Sequence, residues 1–440
     1  MHYSVYSSNQ PVPRKRRRWI WWLLGLSVVV LLGWFVAGPI LALRQIQEPG
    51  ADSSLFGFVG KIVSSAQLKG EKDGRINILL LGVGGKDHPG GTLADTIQLV
   101  SINPKTKQVA LLSIPRDLRV TIPGAGVNKI NYAHAYGELN PKTGGGPAVT
   151  RQVVSQVLDQ PIHYYVRMDF DGFVKLVDAL GGVDIDVEKA INDPFYPAPD
   201  MIRYDPFKIS AGQQHLDGKT ALKYVRSRET TSDFDRSRRQ QQMLQALKER
   251  ALSLNILANP KKVNEIAAIL GNHVRTDFAT WEIARAIEVA TRDVGGYSLV
   301  TRVLSSGTGE PLVPVNDGGY FLVPRTGNFK EIQRIAANIF TEPLLKEEGA
   351  KIEVVNASGK SSLLSEVVTS LKNEGYTVLA SRTSSSTISE TTIYDYTNSG
   401  KPDTAKLLAQ RFDVKVTSQT KPSNTTADFS VVLGTDFKEA

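Results

Sequence analysis

The 440-residue chain contains no cysteine, which removes disulfide frameworks, thiol nucleophiles and cysteine-ligated metals together. Histidine is scarce as well. The six, His2, His88, His134, His163, His215 and His273, are scattered without the spacing of a zinc site. No G-x-S-x-G nucleophile elbow occurs. The glycine cluster Gly82-Val83-Gly84-Gly85-Lys86-Asp87 lacks Walker spacing and has Asp after Lys where Ser or Thr belongs. Asp87 also occupies the last glycine position of G-x-G-x-x-G. Internal repeats are absent. Positive charge is less abundant than the net +8 suggests, because Arg14-Lys15-Arg16-Arg17-Arg18 carries five of those charges with no acid in the first eighteen residues. A basic isoelectric point is therefore a weak argument for nucleic acid, and no nucleic-acid partner is expected.

Long apolar runs are also rare, with one exception. Residues 19–43 carry no charge and lie between that cationic block and Arg44. At ~1.5 Å per residue, such a segment spans roughly 37 Å, enough to cross a ~30 Å hydrocarbon core with tilt. It exceeds the ~7–15 apolar residues of a signal peptide, and no Ala-x-Ala cleavage pattern follows. The five cations predict a cytoplasmic tail over residues 1–18, and Trp19, Trp21 and Trp22 suit the headgroup belt beside it. The chain is thus expected in the cell membrane, single-pass, with its N-terminus cytoplasmic and its bulk extracytoplasmic.

Residues 44–74 mix Gly, Ser, Pro and charge and read as a juxtamembrane linker. Two folded units are expected beyond it, 75–345 and 351–437. Short apolar runs at 76–83, 96–102 and 109–114 predict buried strands, the last two joined by the turn Asn103-Pro104-Lys105-Thr106. Helical spacing at 149–158 and 170–180 alternates with strands at 164–168 and 183–187, and longer helices are expected at 236–254, 261–270 and 281–291. Residues 298–345 add strand-like segments and a helix. The second unit reads as strands at 352–355, 377–380, 392–396 and 429–433 with helices near 363–371 and 404–412; the Ser/Thr-rich stretch 383–391 reads as a mobile loop. The expected fold class is α/β: a central mixed sheet flanked by helices, plus a small C-terminal α/β domain, after one N-terminal transmembrane helix.

Arginine is the residue that clusters. Arg226 and Arg228 share a face if Tyr224-Val225-Arg226-Ser227-Arg228 is extended. Arg236, Arg239 and Gln240 fall on adjoining faces at the start of the long helix. Guanidinium forks bind phosphate oxygens in bidentate fashion, and several together neutralise a diphosphate. The plainer reading is a solvated helix face paired with Glu229, Asp233 and Asp235, although basic residues in a first turn oppose the helix dipole unless an anion binds there. Ser113-Ile114-Pro115-Arg116-Asp117 ends a buried strand, where α/β sheets place ligand-binding residues. Asp95 opens the strand before it. One carboxylate with several arginines suits an Mg2+-diphosphate, while Asp95 or Asp117 alone reads equally as a cap or turn residue.

Six ordered blocks together resemble the LytR-CpsA-Psr (LCP) family. They are Ser113-Ile114-Pro115-Arg116-Asp117, Lys129-Ile130-Asn131, Asp178-Ala179-Leu180-Gly181-Gly182-Val183, Leu216-Asp217-Gly218-Lys219-Thr220-Ala221-Leu222, Tyr224-Val225-Arg226-Ser227-Arg228 and Asp235-Arg236-Ser237-Arg238-Arg239-Gln240. Residues 351–437 resemble the LytR-type C-terminal domain through Val354-Val355-Asn356-Ala357-Ser358-Gly359 and Val431-Val432-Leu433-Gly434-Thr435-Asp436-Phe437. The resemblance implies an Mg2+-dependent phosphotransferase of cell wall assembly. Such enzymes move a phosphorylated glycopolymer from a polyprenyl diphosphate carrier to a peptidoglycan acceptor. It further implies that Asp95 holds the metal, that Arg116, Arg226, Arg228 and Arg236 clamp the phosphates, and that Gln240 joins their network. Arg239, Lys129 and Asn131 complete the expected substrate-binding set, with Asp117 or Asp95 deprotonating the acceptor hydroxyl. An apolar tunnel for the lipid tail is implied as well. Two places depart from the family: its usual Asp near the first strand's end is Val83 or Gly84 here, and its Arg two residues before the metal Asp is Leu93, with Asp87 a candidate substitute. A polyprenyl diphosphate hydrolase or a non-catalytic lipid-phosphate-binding envelope protein is the rival reading of the same pocket. A transcriptional attenuator needs these arginines in the cytoplasm, which the expected orientation denies.

Overall fold

The computed structural model describes residues 66–437 apart from 87, 199–201, 228–232, 255–258 and 292–296. The expected tail, the 19–43 span, residues 44–65 of the linker, Asp87 and Arg228 lie outside the described residues. Among those described, no helix is long and apolar enough to cross a membrane.

The first apolar run forms β1 (Ile76–Val83), which pairs antiparallel with β2 (Ala94–Asn103), and β2 pairs antiparallel with β3 (Gln108–Ser113). A hairpin of β4 (Arg119–Ile122) and β5 (Gly126–Lys129) leads to α1 (Tyr132–Leu139) and α2 (Gly146–Leu158). Then β6 (Tyr164–Asp169) runs parallel to β1 and passes directly into α3 (Phe170–Ala179). Strands β7 (Val183–Val187), β8 (Ile191–Asp193), β9 (Phe207–Ile209) and β10 (Gly212–Leu216) pair as two small antiparallel ribbons, β10 with β7 and β8 with β9. Helices α4 (Gly218–Arg226), α5 (Asp233–Ser253) and α6 (Pro260–Leu270) follow, then β11 (Val274–Thr276), α7 (Thr280–Thr291) and β12 (Ser298–Val303). The hairpin β13 (Leu312–Asn316) and β14 (Tyr320–Pro324), α8 (Lys330–Ala337) and α9 (Glu342–Glu348) close this part of the chain.

The central sheet has the order β11-β6-β1-β2-β3-β12 and is mixed. Because β1 is parallel to β6, β3 is parallel to β12, and both β1 and β3 oppose β2, four strands point the same way. Their carboxyl ends define one edge, the place where open α/β sheets bind ligands. On one face, α2 and α8 bury Val149, Val153, Val154, Ile332 and Ile335 against Leu79, Leu81 and Leu112. A separate core joins α3, α4 and α5 to β7 and β10 through Val177, Leu216, Ala221, Tyr224 and Met243. Each such apolar side chain contributes roughly 1.5–3 kcal/mol when fully buried.

Residues 224–226 are helical, so the extended stretch expected to carry Arg226 does not form there. Asp217 caps α4 by accepting from the Thr220 N–H at 2.7 Å, and the buried positions Ala221, Tyr224 and Val225 follow helical spacing.

The C-terminal unit is a five-stranded sheet flanked by α10 (Leu363–Asn373) and α11 (Pro402–Phe412). Its strands are β15 (Lys351–Asn356), β16 (Thr377–Thr383), β17 (Thr392–Asp395), β18 (Val416–Ser418) and β19 (Phe429–Leu433), in the order β16-β15-β19-β17-β18. Leu345 of α9 enters its core beside Ile352, Leu371 and Phe429. The Ser/Thr-rich stretch after β16 has no helix or strand, yet it is tied down. Ser384 N donates to Asn356 O at 2.8 Å, Ile388 N to Ala357 O at 3.0 Å and Thr391 N to Asp436 Oδ1 at 2.9 Å.

Candidate functional site

Two sets of charged residues meet the carboxyl edge of the central sheet. The first is a line of alternating sign. Arg116, just past β3, donates from Nη1 to Asp95 Oδ1 at 2.6 Å, and its Nε lies 3.5 Å from Asp117 Oδ2. Asp117 Oδ1 in turn accepts from Lys129 Nζ at 2.6 Å. Asn131 ties the same place through its backbone: its N–H donates to Arg116 O (3.3 Å) and its carbonyl accepts from Ala94 N (3.2 Å). Both Asp117 oxygens face cations in a buried setting, whereas the Asp95 side chain is 35% exposed.

The second set is built around the end of α4. Gly218 N donates to Asp178 Oδ1 at 2.7 Å, and a Cβ at Gly218 would lie 2.3 Å from Val174 O, so α3 and α4 touch through bare backbone. At the other end, Arg239 of α5 donates to Tyr224 O and Ser227 O, both at 2.5 Å, taking up carbonyls that a helix terminus leaves unpaired. Burial lowers the Arg239 pKa from its ordinary value, and the carbonyl oxygens compensate by hydrogen bonding. Ser227 Oγ donates to Asp193 Oδ2 at 2.6 Å. Gln240 Nε2 reaches Val225 O at 3.5 Å, and Arg236 is buried on the same helix. Gln241 extends the other way, from Nε2 to Ser113 Oγ (2.9 Å) and Arg302 O (3.1 Å), and so joins α5 to the central sheet.

Held in this way, Arg226 lies with its guanidinium carbon 4.2 Å from the Phe170 ring centroid and 5.6 Å from that of Tyr196. Its Nη1 donates to Tyr196 Oη at 3.2 Å and its Nη2 to His88 Nε2 at 3.1 Å. His88 Nδ1 is 2.8 Å from Pro89 O, so the tautomer with the proton on Nδ1 satisfies both contacts. Burial raises the Tyr196 pKa against the opposing charge of Arg226, which favours a neutral hydroxyl. Arg226 faces a cleft of about 1130 Å³. One wall is apolar, with Phe170, Val174, Tyr196, Pro197 and Leu222; cations supplied by Lys86, Arg167, Lys219, Lys223 and Arg275 line the rest, among acids that include Asp169 and Asp171. Asp169 caps α3 through Gly172 N (2.9 Å) and also lies 2.9 Å from His273 Nδ1. The mouth turns at glycines: a Cβ on Gly91 would sit 1.8 Å from Gly85 O. Asp95, Arg116, Asp117 and Lys129 are not among the lining residues of this cleft.

Residues 57–294 match the model of the LytR_cpsA_psr family, more than half of the chain. The protein belongs to the LytR-CpsA-Psr family. Residues 349–437 match the domain described as LytR cell envelope-related transcriptional attenuator. The chain is 34% identical over 333 residues to the polyisoprenyl-teichoic acid–peptidoglycan teichoic acid transferase TagU of Oceanobacillus iheyensis, covering 74% of this chain and 95% of that protein. It is 30% identical over 256 residues to the corresponding transferase TagT of Bacillus subtilis, covering 57% of this chain and 75% of TagT. A solved structure of TagT bound to LI-WTA is similar with a TM-score of 0.47 at 25% identity, over 61% of this chain and 92% of that one.

For an LCP protein, the metal question centres on Asp95. One of its oxygens is occupied by Arg116, and its side chain is 35% exposed. Among the described residues, no group of three His, Cys, Asp or Glu converges on a point. A lone carboxylate does not form a resident cage; it would suit a hard divalent cation only where substrate oxygens and water supplied the rest of the shell. The two departures from the family have structural consequences. Val83 is buried in the core, Gly84 has no side chain, and Leu93 adds no charge beside Asp95.

His88, Arg167, Asp169, Phe170, Tyr196 and Arg275 were not expected in the cleft. Asp169 and Phe170 could have been found, because one ends a strand and the other opens the helix that follows it. His88 and Tyr196 leave no such signal, since they reach Arg226 across 138 and 30 positions.

Proposed function

We propose that this protein is a membrane-anchored transferase that moves a phosphorylated glycopolymer from a polyprenyl diphosphate carrier to peptidoglycan, outside the cell membrane. The Arg226 clamp carries the geometric side of the reading: an arginine fixed by an aromatic face, a hydroxyl and an imidazole, opening on a cationic cleft at the carboxyl edge of the sheet. The similarity to TagU, which spans nearly all of that relative, supplies the reaction class. Residues 19–43 would anchor the chain, with the cationic tail inside and the site outside.

In the reaction, the acceptor oxygen bonds to the polymer-side phosphorus, its proton is lost, and polyprenyl phosphate departs. Negative charge grows on phosphate oxygens and on the leaving group, and fixed guanidinium groups lower the barrier by stabilising it. Arg226 is already oriented, so little reorganisation is needed. Asp117 is engaged by Lys129 and Arg116 and acts by positioning Arg116. Asp95, partly exposed, is available either to Mg2+ or to the acceptor proton. Bound there, Mg2+ would neutralise diphosphate charge.

The test is transfer by the full chain in nanodiscs, supplied with lipid-linked polymer and peptidoglycan. Polymer attached to peptidoglycan, and lost in Arg226→Ala, is the expected outcome. Release of free polymer with or without peptidoglycan would make the protein a hydrolase instead. Because the chain has no cysteine, single cysteines at Ser7 and Lys360 test the orientation. An impermeant maleimide should label only the Lys360→Cys protein in intact cells.

A further inference from the structure

Arg119 of β4 and Lys129 of β5 are cross-strand partners, so the pleat sets two cations side by side on one face of that hairpin. Like charges placed in this way repel, and part of what offsets them comes from far along the chain. The hairpin β13–β14, which supplies none of the six sequence blocks, lies against this place. Leu322 bridges to Leu118, and its N–H donates to the Asp117 carbonyl at 3.0 Å. Asp317, in the turn of the hairpin, accepts from Arg119 Nη1 at 2.8 Å. Strand β14 also brings up the half-buried ring of Phe321. Its centroid lies 5.3 Å from the Arg119 guanidinium carbon and 5.7 Å from Lys129 Nζ. The face of an aromatic ring is negative and attracts a cation within ~6 Å. That attraction uses no hydrogen bond, which leaves Lys129 Nζ to donate to Asp117 Oδ1 at 2.6 Å. The other Asp117 oxygen faces Arg116 Nε at 3.5 Å, and Arg116 Nη1 donates to Asp95. Phe321 therefore stands at the head of a chain of contacts that runs from Lys129 through Asp117 and Arg116 to Asp95.

We propose that Phe321 is a positioning residue for the transfer reaction, holding Lys129 on Asp117 so that Arg116 keeps its orientation. The inference rests on the transferase reading and adds a group which that reading does not use. A phenylalanine has no polar side-chain atom, so Phe321 acts only through the cations on its ring. Without the ring, Arg119 and Lys129 repel with less to restrain them, and Lys129 turns toward solvent. Asp117 then loses a partner on one oxygen and pulls harder on Arg116, drawing its guanidinium away from Asp95. An effect on fixed geometry of this kind lowers kcat and leaves KM in place.

The test replaces Phe321, in the full chain in nanodiscs, with phenylalanines that carry one, two and three ring fluorines. Fluorine withdraws charge from the ring face and hardly changes its size, so packing is kept while the attraction for cations weakens stepwise. Across the series kcat for transfer should fall by roughly two- to fivefold, the range of one cation–π contact, with Tm and both KM values unchanged. Phe321→Leu should fall at least as far as the trifluoro ring, and Phe321→Tyr should stay near the unsubstituted protein. Trace acetylation of Lys129, read by mass spectrometry without any substrate, should speed up in the same order. A flat kcat across the fluorinated series, or a fall carried by KM, overturns the proposal and leaves Phe321 as packing alone. So does an acetylation rate at Lys129 that ignores fluorination. If the unsubstituted protein transfers no polymer, the transferase reading fails, and the role in the reaction goes with it whatever the acetylation series shows.

Discussion

Arg116 Nη1 lies 2.6 Å from Asp95 Oδ1, joining the end of one central strand to the start of its neighbour. The pair is partly exposed, so it adds little to stability, ~0–1 kcal/mol for pairs of this kind. Its value is in the reaction, where it orients a guanidinium beside a partly exposed carboxylate. Asp95→Asn should therefore cut transfer by roughly 10²–10³ while thermal unfolding moves only slightly. Turnover close to that of the unsubstituted enzyme at equal protein level would exclude Asp95 from the site.

The Arg226 clamp separates into charge, fork and ring contact. Arg226→Lys keeps the charge but loses the planar fork that reaches Tyr196 and His88 together, so transfer should fall roughly as far as for loss of one oxyanion donor, ~10²-fold. Phe170→Leu removes the 4.2 Å ring contact, worth ~0.5–1 kcal/mol for an exposed cation–π pair, and the edge-on contact of Phe170 with His88. Donor affinity should drop by a few-fold. Equal effects from the two substitutions would mean that the ring, not the fork, sets the geometry.

The parts of this protein that are legible in sequence are those fixed by local pattern. The runs at 76–83 and 109–114 are apolar because both faces of their strands are covered, and Asp217-Gly218 marks a helix start through cap chemistry. The six blocks are visible because several of them build the α3–α4 contact and the α4–α5 contact. Residues 224–226 mislead because two arginines spaced by two suit an extended face, while the helical burial of Ala221, Tyr224 and Val225 prevails. Gln241, adjacent to the expected Gln240, makes the long-range bonds to Ser113 and Arg302. One step around a helix changes the partner, and composition does not reveal which glutamine faces the sheet.

Gly218 tests the α3–α4 contact. Gly218→Ala forces a Cβ against Val174 O, and overpacking of this kind costs ~1–3 kcal/mol. Tm should fall by several degrees and transfer should fall with it, because α4 carries Arg226. Gly319→Ala is the control, since its nearest neighbour would be Phe321 Cε2 at 3.8 Å. Matching melting curves for the two variants would show that the close approach is not tight.

Acid sensitivity should come in part from His134. Burial lowers its pKa below the ordinary 6.5, and the charge of Arg167 adds to the effect, against the hydrogen bond that the His134 ring donates to the Thr92 carbonyl and the charge of Glu138. The unfolded chain then binds the proton more readily than the folded one, so stability falls as pH drops below about 6.5 and is greatest above it. His163, lowered by burial as well, acts in the same direction. Urea unfolding from about pH 7.5 to about pH 5.5 should show the decline, and His134→Gln should flatten it. An unchanged slope in that variant would remove His134 from the account.

Glu348 links the two folded units by capping a helix it does not belong to. The first residues of α11 have no side-chain cap of their own, and the Glu348 carboxylate accepts from Asp403 N at 2.9 Å and Thr404 N at 2.7 Å. A carboxylate at a helix amino end satisfies unpaired N–H groups and interacts favourably with the dipole, so its loss costs ~0.5–2 kcal/mol. Glu348→Ala should speed amide exchange over residues 403–406 and lower the unfolding midpoint of the C-terminal unit. Glu348→Gln, which keeps one acceptor oxygen but no charge, should fall between. Transfer should be unchanged in both, because Glu348 lies outside the cleft. If Glu348→Ala reduced transfer while the amides of α11 stayed protected, the contact would serve the reaction and not the attachment of the C-terminal unit.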